Sequence, residues 1–163
     1  QACIDLLIEE QANVGMINFV INEEEMRTIL KHPLSLIGSD GSAVSPRSYP
    51  GQPHPRFYGC FPRVLGRYCR EEKLFDLETA VRKMTGAAAE QLGLADRGVI
   101  RKGAFADLVI FSESDIIDRA TFDDPHQYPS GIRQVLVAGK LVVDNDSHTG
   151  AKPGIVLHRK KNG

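Results

Sequence analysis

Asp40 has the strongest claim to chemistry in this sequence. It follows Leu34-Ser35-Leu36-Ile37-Gly38-Ser39, a short apolar run of strand character, and precedes Gly41. A carboxylate at the carboxyl end of a buried parallel strand stands where α/β barrels and open sheets place their sites. The bracketing glycines let the backbone turn sharply and a ligand approach. An Asp-Gly pair also makes a plain turn whose carboxylate bonds its own backbone, and position alone leaves both readings open.

From Asp40 to Pro62 the chain is rich in proline and glycine and shows no periodicity, yet it carries Tyr49, His54, Arg56, Phe57, Tyr58 and Phe61. That is too aromatic for a disordered linker, and loops of this length are uncommon unless functional or disordered. We therefore expect an ordered, site-forming loop, with His54 of Pro53-His54-Pro55-Arg56 beside Asp40 as a candidate substrate contact. The other histidines, His32, His126, His148 and His158, are scattered and read as turn or surface residues. The sequence has no H-x-H, no H-E-x-x-H and no Cys/His cluster, so a complete zinc site cannot be argued from it. It also has no G-x-G-x-x-G, no P-loop and no G-x-S-x-G setting for Ser39 or Ser42.

The elements that would position these groups begin with Ala2–Glu9, which reads as helix interior without a cap before it. Val14–Ile21 is a nearly continuous apolar run with the character of a parallel strand covered on both faces. Asn22 and Glu25 then fit a capping box for a helix reaching about Lys31, where Pro33 prevents continuation. Strand, helix and strand (34–39) together make a βαβ unit. Pro62 suits a first helical turn, followed by the apolar stripe Val64, Leu65, Tyr68 and Cys69. Asp76 caps a further helix, Thr85-Gly86 interrupts it, and Gly93 closes an alanine-rich turn. From Gly98 the period changes: 98–103 and 106–111 read as strands, and 134–137 with 140–143 as a hairpin about Ala138-Gly139. His158-Arg159-Lys160-Lys161 reads as an exposed basic tail. We expect two units, 1–95 of α/β character and 96–163 of β character with the tail.

Composition sets limits on partners. The 163 residues are 42% hydrophobic and 25% charged, which suffices for a core without staples. A net charge of -1 gives no electrostatic reason to expect nucleic acid or an anionic membrane as a partner. No apolar run approaches the length of a membrane span. Cys3, Cys60 and Cys69 are odd in number and lack C-x-x-C spacing, which fits a reducing, cytoplasmic setting. Gln1 is no initiator, and an uncapped helix at the first residues suggests a piece of a longer chain, with a processed protein as the alternative.

Leu36-Ile37-Gly38-Ser39-Asp40-Gly41, His54-Pro55-Arg56 and Gly59-Cys60-Phe61-Pro62-Arg63-Val64-Leu65-Gly66 together resemble the N-acyl-D-amino-acid deacylases (D-aminoacylases). Asp124-Pro125-His126-Gln127-Tyr128-Pro129 and His148-Thr149-Gly150 resemble the same branch. Lys83-Met84-Thr85 and Gly98 to Val109 are similar to the carboxyl-terminal pattern of the wider amidohydrolase superfamily.

The resemblance implies an α/β fold: the last strands and helices of a (β/α)8 metal-dependent barrel, with 14–21 and 34–39 as its last two strands, plus part of a small β-sandwich after 98. It implies zinc as cofactor and an N-acyl-D-amino acid as the small-molecule substrate. Asp40 matches the family's general acid/base beside the zinc and is a candidate metal ligand. Arg56 matches the arginine that grips the substrate α-carboxylate. The mechanism implied is metal-assisted amide hydrolysis, with Asp40 taking a proton from water and returning it to the leaving amine.

The family's H-x-H, metal-binding cysteine and two later histidines belong to upstream segments that this sequence does not contain. The missing amino-terminal part of the same enzyme is therefore an expected partner. The 40–54 loop is also longer than in many relatives. Two alternatives stand beside this reading: a non-catalytic fragment, inactive alone, and another amidohydrolase such as a hydantoinase-like or dihydroorotase-like cyclic amidase. His-Pro-Arg and Asp-Pro-His-Gln-Tyr-Pro argue against the second.

Overall fold

Local capping chemistry sets most of the helices. The computed structural model describes residues 1–16, 18–49 and 51–158. Helix α1 spans Ala2–Glu9 and has no side-chain cap hydrogen bond. Helix α2, Glu23–Lys31, starts where the Asn22 side chain accepts from the Glu24 amide, leaving Glu23, Glu24 and Glu25 in the first turn to complement the helix dipole. The reciprocal half of the expected capping box, from Glu25, does not form among the described residues. Helix α4, Leu77–Met84, is capped by Asp76, whose carboxylate accepts from Thr79 N–H at 2.8 Å. Helix α5, Gly86–Leu92, ends on Gly93 in the left-handed region at φ 72°.

Helix α3 corrects the sequence reading. It spans Arg56–Arg63, so Pro62 lies near its end rather than in its first turn, and the expected loop gives way to helix six residues before Pro62. Its start is set by His54, whose Nδ1 accepts from Arg56 N–H at 3.1 Å. Pro62 removes one donor, and beyond it the ladder runs as a π-helix over Val64–Glu71, with Glu72 N–H reaching Arg67 O at 2.9 Å. Periodicity arguments built on 3.6 residues per turn do not see such a splice.

The apolar runs 14–21 and 34–39 form no strand among the described residues, and Ile17 lies outside them. A parallel strand exists through its ladder, and neither run meets a paired neighbour here. Phe19 is 77% exposed, and Met16, Val20, Ile21 and Leu34 are similarly open. The expected strand at 98–103 is likewise missing. Gly98 turns at φ 78° where a Cβ would sit 2.6 Å from that of Ala89, so the segment bends against α5 instead of running straight.

The remaining strands form a four-stranded antiparallel meander in the order β1-β2-β3-β4: Leu108–Phe111, Ile132–Val137, Lys140–Asp144 and Ser147–His148. Ala138 and Gly139 turn the β2–β3 hairpin at φ 49° and 74°, the left-handed pair a two-residue turn requires. A second sheet to complete a sandwich does not occur among the described residues. Arg159, Lys160 and Lys161 of the basic tail lie outside those residues.

One core joins helices and sheet. Val64, Leu65, Tyr68, Ala80 and Ile116 are buried together, with Met26, Leu30, Ile37, Phe111 and Ile132 packed against them. Gly66 permits the closest approach: a Cβ there would lie 2.3 Å from Ile116 O. Ile116, 2% exposed, is the largest fully buried side chain among the described residues.

Candidate functional site

The start of α3 gathers all three residues singled out in the sequence. Asp40 sits in the left-handed region at φ 49°, directly after residues 35–39, which belong to no helix or strand. Gly41 follows, and a Cβ there would come within 3.2 Å of Arg56 O, so a glycine allows the Asp40 turn to lie against the first turn of α3. Arg56 Nη2 pairs with Asp40 Oδ2 at 3.0 Å. The Asp40 side chain is 87% exposed and that of Arg56 40% exposed, so water screens the pair and it holds the fold only weakly. Arg56 Nε, by contrast, is enclosed and has no hydrogen-bond partner among the described residues. An unpaired buried donor is costly, which makes this guanidinium receptive to a further acceptor.

His54 is part of the same cluster. Its Nδ1 accepts from Arg56 N–H, so a neutral ring carries its proton on Nε2. Burial holds the imidazole below its usual pKa, nearby Arg56 adds to that, and Asp40 opposes it. The ring also meets Phe122 edge-on at 5.1 Å between centroids. Its position at the helix start supports Arg56 through the backbone.

The segment 34–40 is held from beneath by Lys83. This lysine is 4% exposed, and its ammonium donates to His32 O at 2.6 Å and to Ser35 O and Oγ at 2.9 Å each. Burial pushes its pKa down, while three acceptors satisfy its three donors. In the sequence Lys83 stood out only as part of a superfamily pattern; a buried ammonium among carbonyls leaves no periodic trace.

His126 departs from its reading as a turn or surface histidine. Its Nδ1 lies 2.9 Å from Tyr58 Oη on α3, and its Nε2 lies 2.9 Å from Gly51 O in the loop. Tyr58 meets Tyr128 at 5.7 Å, and burial, then Tyr128 and Tyr49, raise its phenol pKa. Only the Asp124–Pro129 motif hinted at this role. His32, His148 and His158 take no part in the cluster. The described residues contain no group of three or more His, Cys, Asp or Glu side chains placed to hold a metal.

Such an arrangement offers an exposed carboxylate as proton acceptor, 3.0 Å from a cation with an unused donor. The amidohydrolase family model matches residues 7–143.

This chain belongs to the amidohydrolase family. Within it, the chain is 43% identical over 150 residues to an N-acyl-D-aspartate deacylase of Alcaligenes xylosoxydans xylosoxydans, covering 92% of this chain and 29% of the relative. It is 44% identical over 153 residues to a D-aminoacylase of the same organism, covering 94% and 31%. Among solved structures, a D-aminoacylase variant in complex with copper chloride superposes at TM-score 0.80 with 44% identity, over 86% of this chain and 29% of that one. An N-acyl-D-glutamate deacylase from Bordetella bronchiseptica, complexed with zinc and a phosphonate mimic of the tetrahedral intermediate, superposes at 0.70 with 46% identity, over 76% and 25%. This amidohydrolase chain thus spans less than a third of the length of these relatives. No described helix is long and apolar enough to cross a membrane.

Proposed function

We propose that this chain is the carboxyl-terminal part of a zinc-dependent deacylase that hydrolyses N-acyl-D-amino acids to a carboxylate and a free D-amino acid. The observation that carries the reading is Arg56, whose guanidinium sits against Asp40 with a buried Nε–H that has no partner among the described residues. On this reading residues 1–95 complete a (β/α)8 barrel, 96–163 form part of a small β-sandwich with the tail, and the exposed Met16, Phe19, Val20, Ile21 and Leu34 pack on the remainder of the enzyme. A cytoplasmic location accords with the cysteine usage.

Each side chain then has a role. Asp40 accepts a proton from the attacking water and returns it to the departing amine, a task suited to a carboxylate with open access. Arg56 grips the substrate α-carboxylate, its planar fork offering parallel bonds that fix the D-centre. That carboxylate would compete with Asp40 for the guanidinium and free the acid/base group. His54 lies beside both as a further substrate contact. The donors among the described residues do not fit a zinc ion, since no three His, Cys, Asp or Glu side chains gather around Asp40 or elsewhere among them. The dependence on zinc therefore rests on ligands from the rest of the enzyme, and the chain by itself is its non-catalytic portion.

A panel of N-acyl-D-amino acids, their L-enantiomers and cyclic ureides, assayed on the full-length zinc enzyme, tests the reading. Hydrolysis confined to the D-series is the expected outcome. Turnover of cyclic ureides alone would replace it with a cyclic amidase.

A further inference from the structure

His126 joins two points of the chain that bracket the candidate site. Gly51 lies five residues before Arg56 and Tyr58 two residues after it. Their bonds to the imidazole, both 2.9 Å, close the intervening stretch into a ring that contains His54 and Arg56.

The chemistry fixes the direction of both bonds. A carbonyl oxygen can only accept, so Nε2 must carry the proton and donate to Gly51 O. In the neutral ring Nδ1 is then an acceptor, and the Tyr58 hydroxyl must donate to it. A half-buried phenol whose pKa is raised, first by loss of water and then by Tyr128 and Tyr49, keeps the proton this requires. Both ring nitrogens are occupied, so His126 has no nitrogen left for a metal or a proton transfer. Tyr49 and Tyr128 wall the cluster, with the Tyr49 ring 6.4 Å from His126.

We infer that His126 is a positioning residue for substrate binding, a single-tautomer brace tying the loop before Arg56 to helix α3 and so fixing where the guanidinium stands. This rests on the reading of Arg56 as the carboxylate grip. The brace reaches the site from the far side of the sequence, so the segment 124–129 sets the geometry of a loop it does not adjoin in the chain. A loop held at one end would let Arg56 wander, and a grip depends on placement.

The test uses the full-length zinc enzyme with an N-acyl-D-amino acid. His126→Ala should raise KM about tenfold, the worth of two hydrogen bonds, with kcat within about threefold. His126→Gln, whose amide offers one donor and one acceptor, should recover most of that loss. In an Arg56→Ala background, His126→Ala should add less than about twofold to KM, because the placement it secures no longer matters. An additive effect there, or an equal fall in kcat, would overturn the positioning role.

Nitrogen-15 spectra of histidine-labelled enzyme give a readout free of activity. His126 should show one neutral tautomer protonated on Nε2, and Tyr58→Phe should shift the Nδ1 resonance while Gly51 O keeps the proton on Nε2. A proton on Nδ1 would overturn the brace directly. Wild-type enzyme without deacylase activity, but with the fixed tautomer, would sink the substrate reading and leave the brace standing.

Discussion

Arg56 Nη2 lies 3.0 Å from Asp40 Oδ2, so the two residues assigned separate tasks in the sequence are direct partners in the fold. Sixteen positions apart, they meet because Gly41 lets the turn after Asp40 press on the first turn of α3. On the proposed function, a substrate carboxylate would compete with Asp40 for this guanidinium, and binding would then be coupled to release of the proton acceptor.

Asp40→Asn in the full-length enzyme keeps the shape and removes the acceptor. Steady-state assay should show kcat reduced by about 10²–10⁴, with bound zinc retained by elemental analysis. Near-normal turnover would return Asp40 to the status of a turn residue.

Arg56→Ala should raise KM for carboxylate substrates by about 10–150-fold, the worth of bonds to a charged group. Arg56→Lys should recover only part, because a point charge cannot form the bidentate pair. Substrates with a neutral amide in place of the carboxylate should lose little further. Equal damage to both substrate types, with a lower Tm, would mean that Arg56 only pins the loop.

The isolated 163-residue chain should show no deacylase activity and retain no zinc after dialysis, since the described residues offer no ligand set. One zinc per chain by elemental analysis would refute this. Open apolar residues at 16 and 19–21 should also drive its association as concentration rises, which sedimentation velocity measures.

Glu72 links α2 to the π-helix, bonding Arg27 at 2.7 Å and Arg67 at 2.9 Å, and these bonds lower its pKa from 4.5 to about 2. A depressed carboxylate stabilises the fold above its unfolded pKa and loses that contribution as pH falls through the folded value. Stability should therefore decline between about pH 4.5 and 2, and denaturation of Glu72→Gln should show a flatter profile over that window.

Ile116→Ala should cost about 2–5 kcal/mol, the range for emptying a well-packed site. Gly66→Ala should also destabilise, since its Cβ would meet Ile116 O at 2.3 Å. Chemical denaturation of both variants checks this, and a neutral Gly66→Ala would mean the 115–118 segment moves aside.

What the sequence determined by itself was local or carried by recognisable motifs. Asn22, Asp76 and Gly93 act on backbone groups within four residues, so their caps were legible and appear where expected. The β2–β3 hairpin was equally legible, because alternation and a glycine turn are short-range. Asp40, His54 and Arg56 were marked by type, spacing and family motif. Tertiary structure alone decided the rest. The runs at 14–21 and 34–39 had strand composition, but a strand needs partners that composition does not supply. The helix across Pro62 hid behind a proline and a change of helical period. The ion pair of Asp40 with Arg56, the Lys83 tether and the His126 brace each join residues 16 to 75 positions apart. Such contacts leave no period in the sequence, because they are made by the path of the whole chain rather than by any stretch of it.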